Sequence, residues 1–476
     1  MLLKVLSIVA FATLILFPHA ERIFTTSESC AECHASFVSD WAQSMHSNAA
    51  RDPYFIAKLS NEVMFGSFVE EECAKCHTPL AKIEARLEGR VVRILGNGFL
   101  NESSNLHEFA IEGVSCTLCH QIKRNNISGN YLIDPIAKKP ERAVYGPFIP
   151  AYGIEMYRSV GYFPTKSEIF LKADFCGNCH VLYTPTVEEG KIVKHFPEQT
   201  TFFEWMNSIY NPKKTCQSCH MKGDSFVIST RPENLFERQA KHHHFSGANV
   251  QILELMGDEI GARRAEDQLK SSAEIKIISV KIREGEIEIL VEITNNAGHK
   301  FPTGFPSRRA IVHLVVEDSS GIIFESGRVL KNGKVVGEDY PEMHYDLITS
   351  DDQVQIYESV MMAGDGNYTT DLLKAHGYLK DNRILPKGFR ISSAHPDTIP
   401  IGVEDDNFSP GKDRITYLVK KDFKRPLKIR AELLYQPISW PFIEGLKSTP
   451  EVEEFRKMLE KVELTTIVSS DEIFIN

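Results

Sequence analysis

Apolar positions along this chain change period once, near residue 270. Before that point they recur at helical spacing in short stretches separated by turn residues. Asp40–Ala50, Asp52–Leu59, Glu71–Leu87 and Gln199–Tyr210 each lay one apolar stripe along a helix. A charged stretch with an apolar face, about Asn249 to Leu269, predicts a helical connection. Beyond it, Glu274–Ile282, Glu286–Thr294, Ala310–Glu317, Arg414–Val419 and Leu427–Tyr435 alternate or run in β-branched residues, the pattern of half-buried strands. Lys331-Asn332-Gly333-Lys334 is a hairpin signal, and Pro450–Val462 reads as a final helix packed on the strands. The expected fold class is α+β multidomain. A mostly α-helical domain over 27–248 and a helical linker over 249–272 precede an all-β sandwich over 273–440, with a C-terminal helix and tail over 441–476.

Lys4 precedes an apolar run from Val5 to Phe17 that ends near Ala20, so residues 1–20 have the layout of a secretory signal peptide. Pro18 sits where a small residue is preferred, which leaves an uncleaved anchor open; the absence of a junction cysteine argues against a lipid anchor. With 476 residues, 42% hydrophobic and 25% charged, the chain has the composition of a soluble globular protein of two or three domains. A net charge of −10 disfavours nucleic acid as a partner and suits small cationic redox proteins or mineral and cell-surface contacts.

All ten cysteines fall in five C-x-x-C-H motifs in the first half: Cys30/Cys33/His34, Cys73/Cys76/His77, Cys116/Cys119/His120, Cys176/Cys179/His180 and Cys216/Cys219/His220. Two thiols three residues apart suit thioethers to the two vinyl groups of one haem, and the next imidazole reaches the iron as proximal ligand. A zinc ribbon has no need of histidine after every pair, and a redox dithiol would occur once. Five covalently bound haem c groups are therefore the expected cofactors. Their attachment outside the cytoplasm predicts an exported protein, in the periplasm or at the cell surface.

Each iron needs a sixth ligand or stays open to small molecules. Of 17 histidines, the helical half offers His46, His107, His195, His242, His243 and His244 for five positions. His46 lies on a Trp41-x-x-Ser44-x-His46 stretch that is echoed as Trp205-x-x-Ser208-x-Tyr210. Consecutive side chains diverge, so the His242–His244 run cannot serve one haem, although two of its members could serve two. Met45, Met206 and Met221 are alternative ligands. In the β half, the loop Asn296-Ala297-Gly298-His299-Lys300-Phe301-Pro302-Thr303-Gly304-Phe305-Pro306 is conformationally constrained, and His299 could reach a haem across the domain boundary. Glu404-Asp405-Asp406-Asn407 lacks the alternating ligands of a calcium loop, and His313, His344, His376 and His395 are scattered. Arg308-Arg309 could contact haem propionates or cap a strand.

The Trp41 stretch, Gly113-Val114-Ser115-Cys116, Glu198-Gln199-Thr200 with Glu204-Trp205, and Cys216-Gln217-x-Cys219-His220-Met221 resemble the multihaem cytochromes c related to hydroxylamine oxidoreductase and its tetrahaem electron acceptor. The resemblance covers residues 27 to about 250 and implies a helical domain with stacked haems forming a continuous electron-transfer chain. The G-H-x-x-P-T-G loop is similar to loops in β-domains appended to multihaem cytochromes. Pentahaem nitrite reductases usually carry one C-x-x-C-K haem, whereas all five motifs here end in histidine. Hydroxylamine oxidoreductase has more haems and a cross-linked tyrosine; Tyr210 is read as a packed aromatic. The expectation is an exported pentahaem electron-transfer cytochrome with mainly bis-histidine haems, in respiratory or extracellular electron transfer. Its expected partners are redox proteins such as other cytochromes, and self-assembly into a polymer through haem-bridging histidines remains open. The alternative is an oxidoreductase of nitrite or hydroxylamine type with one five-coordinate catalytic haem, so catalysis is left open. A β-domain that binds mineral or polysaccharide is a third reading.

Overall fold

The computed structural model describes residues 22–134, 141–150, 152–231 and 237–476; the signal-peptide reading lies outside them. The first half is built of short helices, and its local chemistry explains where they stop. Ser44 caps Met45–Asn48 by accepting the Ser47 N–H, and Asp52 caps Pro53–Glu62 by accepting the N–H groups of Tyr54 and Phe55. The helix expected over Glu71–Leu87 is two helices, Phe68–His77 and Pro79–Leu87, because Pro79 cannot continue the first but suits the first turn of the second. The stretch Gln199–Tyr210 is helical only from Thr201 to Met206.

Three strand pairs in this half carry little sequence signal: Ala143–Gly146 with Phe163–Lys166, Leu182–Glu188 with Lys191–Gln199, and Gly223–Val227 with Glu237–Lys241. The connection between the halves runs through two helices, Val250–Leu255 and Glu259–Lys270.

The second half is a two-sheet sandwich, which confirms the α+β multidomain class. One sheet runs in the order Leu347–Ile348, Lys412–Val419, Glu286–Asn295, Ala273–Arg283. The other runs Gly321–Ser326, Arg309–Asp318, Leu427–Gln436, Thr466–Ile475, with Ile356–Tyr357 pairing Arg309–Asp318. Alternation decides which face is buried: Ile287, Ile289, Val291 and Ile293 from one sheet meet Val312, Leu314, Val316, Ile429 and Leu433 from the other in a single core.

The C-terminal segment departs from the expected helix and tail. After the helix Pro450–Leu459, residues Thr466–Ile475 return to the sandwich antiparallel to Leu427–Gln436. This strand also ties the two sheets, since Ser469 Oγ and Asp471 Oδ2 accept the N–H groups of Ile275 and Ile277 at 3.2 and 2.8 Å. The register shift between Ile277 and Ser279 lies beside these contacts.

The halves share a core. Tyr54 on the Pro53–Glu62 helix meets Phe455 with ring centroids 5.5 Å apart, and Lys58 Nζ donates to Thr370 O at 2.8 Å. Asn61 both accepts the Lys447 N–H and donates to the Lys447 carbonyl, at 2.6 and 3.1 Å.

Replacing Asp471 with Ala leaves the Ile277 N–H without its charged acceptor and is expected to cost about 1–3 kcal/mol, read by urea unfolding. A change below about 0.5 kcal/mol would show that the strand does not hold the sheets together through this bond.

Candidate functional site

All five C-x-x-C-H segments lie in or at the end of a helical turn, which puts the two cysteines at i and i+3 on one face with the histidine beside them. The first motif interrupts the helix Glu28–Ala42 at His34, whose φ of −120° and ψ of 42° bend the chain. Cysteines and histidines of the first four motifs line a single cavity of about 1770 Å³, larger than the roughly 300–1,000 Å³ of an ordinary ligand pocket, and the fifth motif reaches it through Gln217.

Four motif histidines are oriented by a backbone carbonyl. The Nδ1–H groups of His34, His77, His120 and His220 point at the carbonyls of Ile228, Ala49, Tyr145 and Ser246 at 2.7, 2.6, 2.6 and 2.6 Å. That bond fixes the tautomer and leaves Nε2 as the free ligand atom, the usual arrangement for a metal-bound imidazole.

Three histidines face motif histidines, His46 and His243 across the cavity and His299 outside its lining. His46 lies 6.2 Å from His180, His243 lies 6.3 Å from His120, and His299 lies 6.2 Å from His220, measured between ring centroids. An iron bound end-on by two imidazoles separates their centroids by about 6.4 Å, taking about 2 Å for each metal–nitrogen bond and about 1.2 Å from nitrogen to ring centre. The three pairs fit a haem iron between them. Burial pushes His46 and His243 each down to about 3, so these imidazoles are neutral and able to ligate.

The sulfurs define how the motifs adjoin. Side chains of Cys30 and Cys116 are neighbours, as are Cys76 with Cys179 and Cys176 with Cys216. Cys119 is within electrostatic reach of Cys176 and Cys179. The first motif therefore adjoins the third, the third approaches the fourth, and the second and fifth flank the fourth.

The Trp-x-x-Ser echo is a real structural repeat with two uses. Ser44 and Ser208 each donate to the carbonyl of their tryptophan, at 2.7 and 2.9 Å. In the first copy the turn presents His46, and Gly113 lets the third motif approach: its φ is +57°, and a Cβ there would lie 2.4 Å from the His46 carbonyl. In the second copy Tyr210 donates to Asn296 O at 3.0 Å and so tethers the loop that carries His299. That loop is fixed further by Glu204, fully buried, which accepts from Lys300 N at 3.1 Å and from Thr303 Oγ1 at 2.6 Å. Arg383 lies 3.3 Å from Glu204 and pairs with Asp381, which also takes Lys300 Nζ at 2.6 Å. Burial pushes Asp381 up, but Arg383 and Lys300 outweigh it and hold the carboxyl far below its usual range.

Other expected ligands are placed elsewhere. His107 lies outside the cavity lining, with Nδ1 3.2 Å from Phe99 O. His195 is exposed, because strand alternation buries its neighbour Phe196 and turns it outward. His242 and His244 point away from the side that His243 takes and converge on Asp40. Met45 and Met221 line the cavity, whereas Met206 is exposed. Arg308 also lines it, while Arg309 is buried against Gln436 and Glu338. His313, His376 and His395 stay apart, but His344 meets Asp405 of the acidic stretch at 3.3 Å.

Among the described residues, no histidine faces His34 or His77 across the cavity. Near the second motif lies Glu198, a residue without a motif of its own; burial pushes its carboxyl up to about 7 against the hydrogen bond from Thr184.

Two comparisons bear on this arrangement. Residues 29–121 match the family of cytochrome c554 and c-prime. The whole chain is similar in fold to the crystal structure of a penta-heme cytochrome c552 from Thermochromatium tepidum, at 16% identity and a TM-score of 0.55, the match covering 96% of this chain and 100% of that one. No curated protein matches the chain significantly. The family match thus spans the first three of the five motifs, and the likeness to the penta-heme cytochrome is one of fold.

Asp381→Ala would leave Lys300 and Arg383 buried without their carboxylate. It is expected to cost about 3–5 kcal/mol in chemical denaturation and to loosen His299. A cost under about 1 kcal/mol would mean that this network does not fix the loop.

Proposed function

We propose that this protein is an exported electron carrier with five covalently bound haem c groups, held through Cys30/Cys33, Cys73/Cys76, Cys116/Cys119, Cys176/Cys179 and Cys216/Cys219. His34, His77, His120, His180 and His220 serve as proximal ligands, and His46, His243 and His299 as distal ligands to the fourth, third and fifth sites. The observation that carries this reading is the spacing of three imidazole pairs, 6.2–6.3 Å, two of them across one continuous cavity. When bound, haem iron supplies one-electron redox chemistry. The polypeptide contributes contiguity, since adjoining motif sulfurs order the sites as first, third, fourth, with the second and fifth as branches. Two histidine ligands per iron favour low potentials and exclude small molecules from those three sites.

Among the described residues, no helix is long and apolar enough to cross a membrane. Export is supported by the attachment chemistry and the amino-terminal sequence. The partners proposed are other redox proteins. Self-assembly through a histidine donated to the first or second site belongs to the same reading, with exposed His195 as donor.

A second reading is favoured by one observation, the lack of a facing histidine at His34 and His77. The second site, with Glu198 nearby as a buried proton donor, then acts on a small nitrogen oxyanion or hydroxylamine.

Electron paramagnetic resonance of the oxidised protein, integrated per mole, separates these readings. Three low-spin bis-histidine haems are expected, each lost to a high-spin form in His46→Ala, His243→Ala or His299→Ala and unaffected by His107→Ala. Retention of all three low-spin signals in these variants would overturn the ligand assignment. Two further haems that ignore cyanide, nitrite and hydroxylamine would exclude the catalytic reading.

A further inference from the structure

The two histidines that flank His243 form a cluster of their own on the outer side of the cavity wall. Asp40, the buried residue of the helix Glu28–Ala42, directs Oδ2 at His242 Nδ1, 2.8 Å away, and Oδ1 at His244 Nδ1, 3.0 Å away. The imidazoles are parallel, 4.8 Å between centroids and 6° between planes, and Phe226 stacks on the outer face of His242 at 4.4 Å. All three ligand atoms lie within 4.8 Å of one another.

Hydrogen bonding accounts for only part of this geometry. His244 Nδ1 is shielded from solvent and has no hydrogen-bond partner, because Asp40 Oδ1, although close, lies off the direction in which that nitrogen points. His242 has a carboxylate at each ring nitrogen: Asp40 at Nδ1 and Asp224 Oδ1 at Nε2, 3.1 Å away. A neutral imidazole carries one N–H. A cation between Asp40 and the two Nδ1 atoms resolves both features. His242 then ligates through Nδ1 and donates Nε2–H to Asp224, the carboxylate support that metal-bound histidines commonly have. Adjacent ligand atoms around a metal with bonds of about 2.0–2.1 Å sit roughly 3 Å apart, as each Asp40 oxygen and its Nδ1 atom do here.

We propose that Asp40, His242 and His244 bind one divalent transition-metal ion, with Asp224 as the outer support of His242. Two imidazoles and a carboxylate select the zinc, cobalt or ferrous class over calcium or magnesium, which take oxygen ligands. Asp40 Oδ2 also accepts the backbone N–H of His243 at 3.2 Å, so the ion fixes the segment that directs His243 toward His120. This last consequence rests on the reading of His243 as a distal ligand; the metal site does not.

The test is zinc binding by the full-length, haem-loaded protein after treatment with EDTA, measured as metal content and by calorimetric titration. Wild type is expected to hold one zinc ion per chain beyond its haem iron. Asp40→Asn and, separately, His244→Gln are expected to weaken binding more than the roughly 100-fold that outer-shell changes reach. Absence of bound zinc in wild type, or equal affinity in wild type and a folded His244→Gln variant, would overturn the proposal. Low-spin haem content in the same samples reports on the ligand role of His243 independently of zinc content.

Discussion

The fully buried carboxylate of Glu204 is the interaction on which the relation between the two halves depends. It belongs to the helical half, yet two of its hydrogen-bond donors, Lys300 N and Thr303 Oγ1, belong to the β half. A lone buried carboxylate would be strongly unfavourable, so it persists only where donors and counter-charges surround it. Arg383, Asp381 and Lys300 complete an alternating set of two anions and two cations with almost no solvent exposure. Electrostatic satisfaction of this set and the placement of His299 opposite His220 are thus one structural fact. The β half is built into the candidate site rather than appended to it.

Within the helical half, the same work is done by main-chain carbonyls. Histidine side chains on short helical turns have little packing to hold them, and a backbone acceptor at Nδ1 removes their freedom. Tyr145 and Ser246, which hold His120 and His220, come from segments distant in sequence from the motifs. Ala49 holds His77 from the end of the turn that presents His46. Four of the five motif histidines therefore take their orientation from a segment outside their own motif.

What could be read from sequence divides along the range of the interactions. The ten cysteines and their histidines announce themselves because attachment chemistry is local, as does His46, carried by the Ser44-capped turn. Five strands between Glu274 and Tyr435 were legible because one face of each meets a continuous apolar core, whereas Gly321–Ser326, Ser359–Ala363 and Ala375–Asp381 were not. The strand Thr466–Ile475 was not, since Ser469, Ser470, Asp471 and Glu472 interrupt its apolar residues for the sake of bonds to the other sheet. The choice among His107, His195 and His243 was equally hidden: it follows from the faces of a short helix and two hairpins that carry weak patterns.

The two histidine–aspartate clusters show why proximity alone does not define chemistry. His344 lies near Asp405 and Asp413, at 3.3 and 3.8 Å, much as His242 and His244 lie near Asp40. The Nδ1 atom of His344, however, accepts from the amides of Gln355 and Asn382 at 2.8 and 3.1 Å. Those amides are oriented by their other bonds, Gln355 Oε1 to Tyr345 N and Asn382 Oδ1 to Glu358 N. The proton of His344 consequently sits on Nε2 and is donated to Asp405, which leaves no lone pair there for a metal. Around His242 the order is reversed, with a carboxylate supporting the nitrogen that faces outward and a second carboxylate beside the one that faces in. It is the partner of the remote nitrogen, more than the count of nearby ligand atoms, that distinguishes a hydrogen-bonded core histidine from one poised to hold a metal.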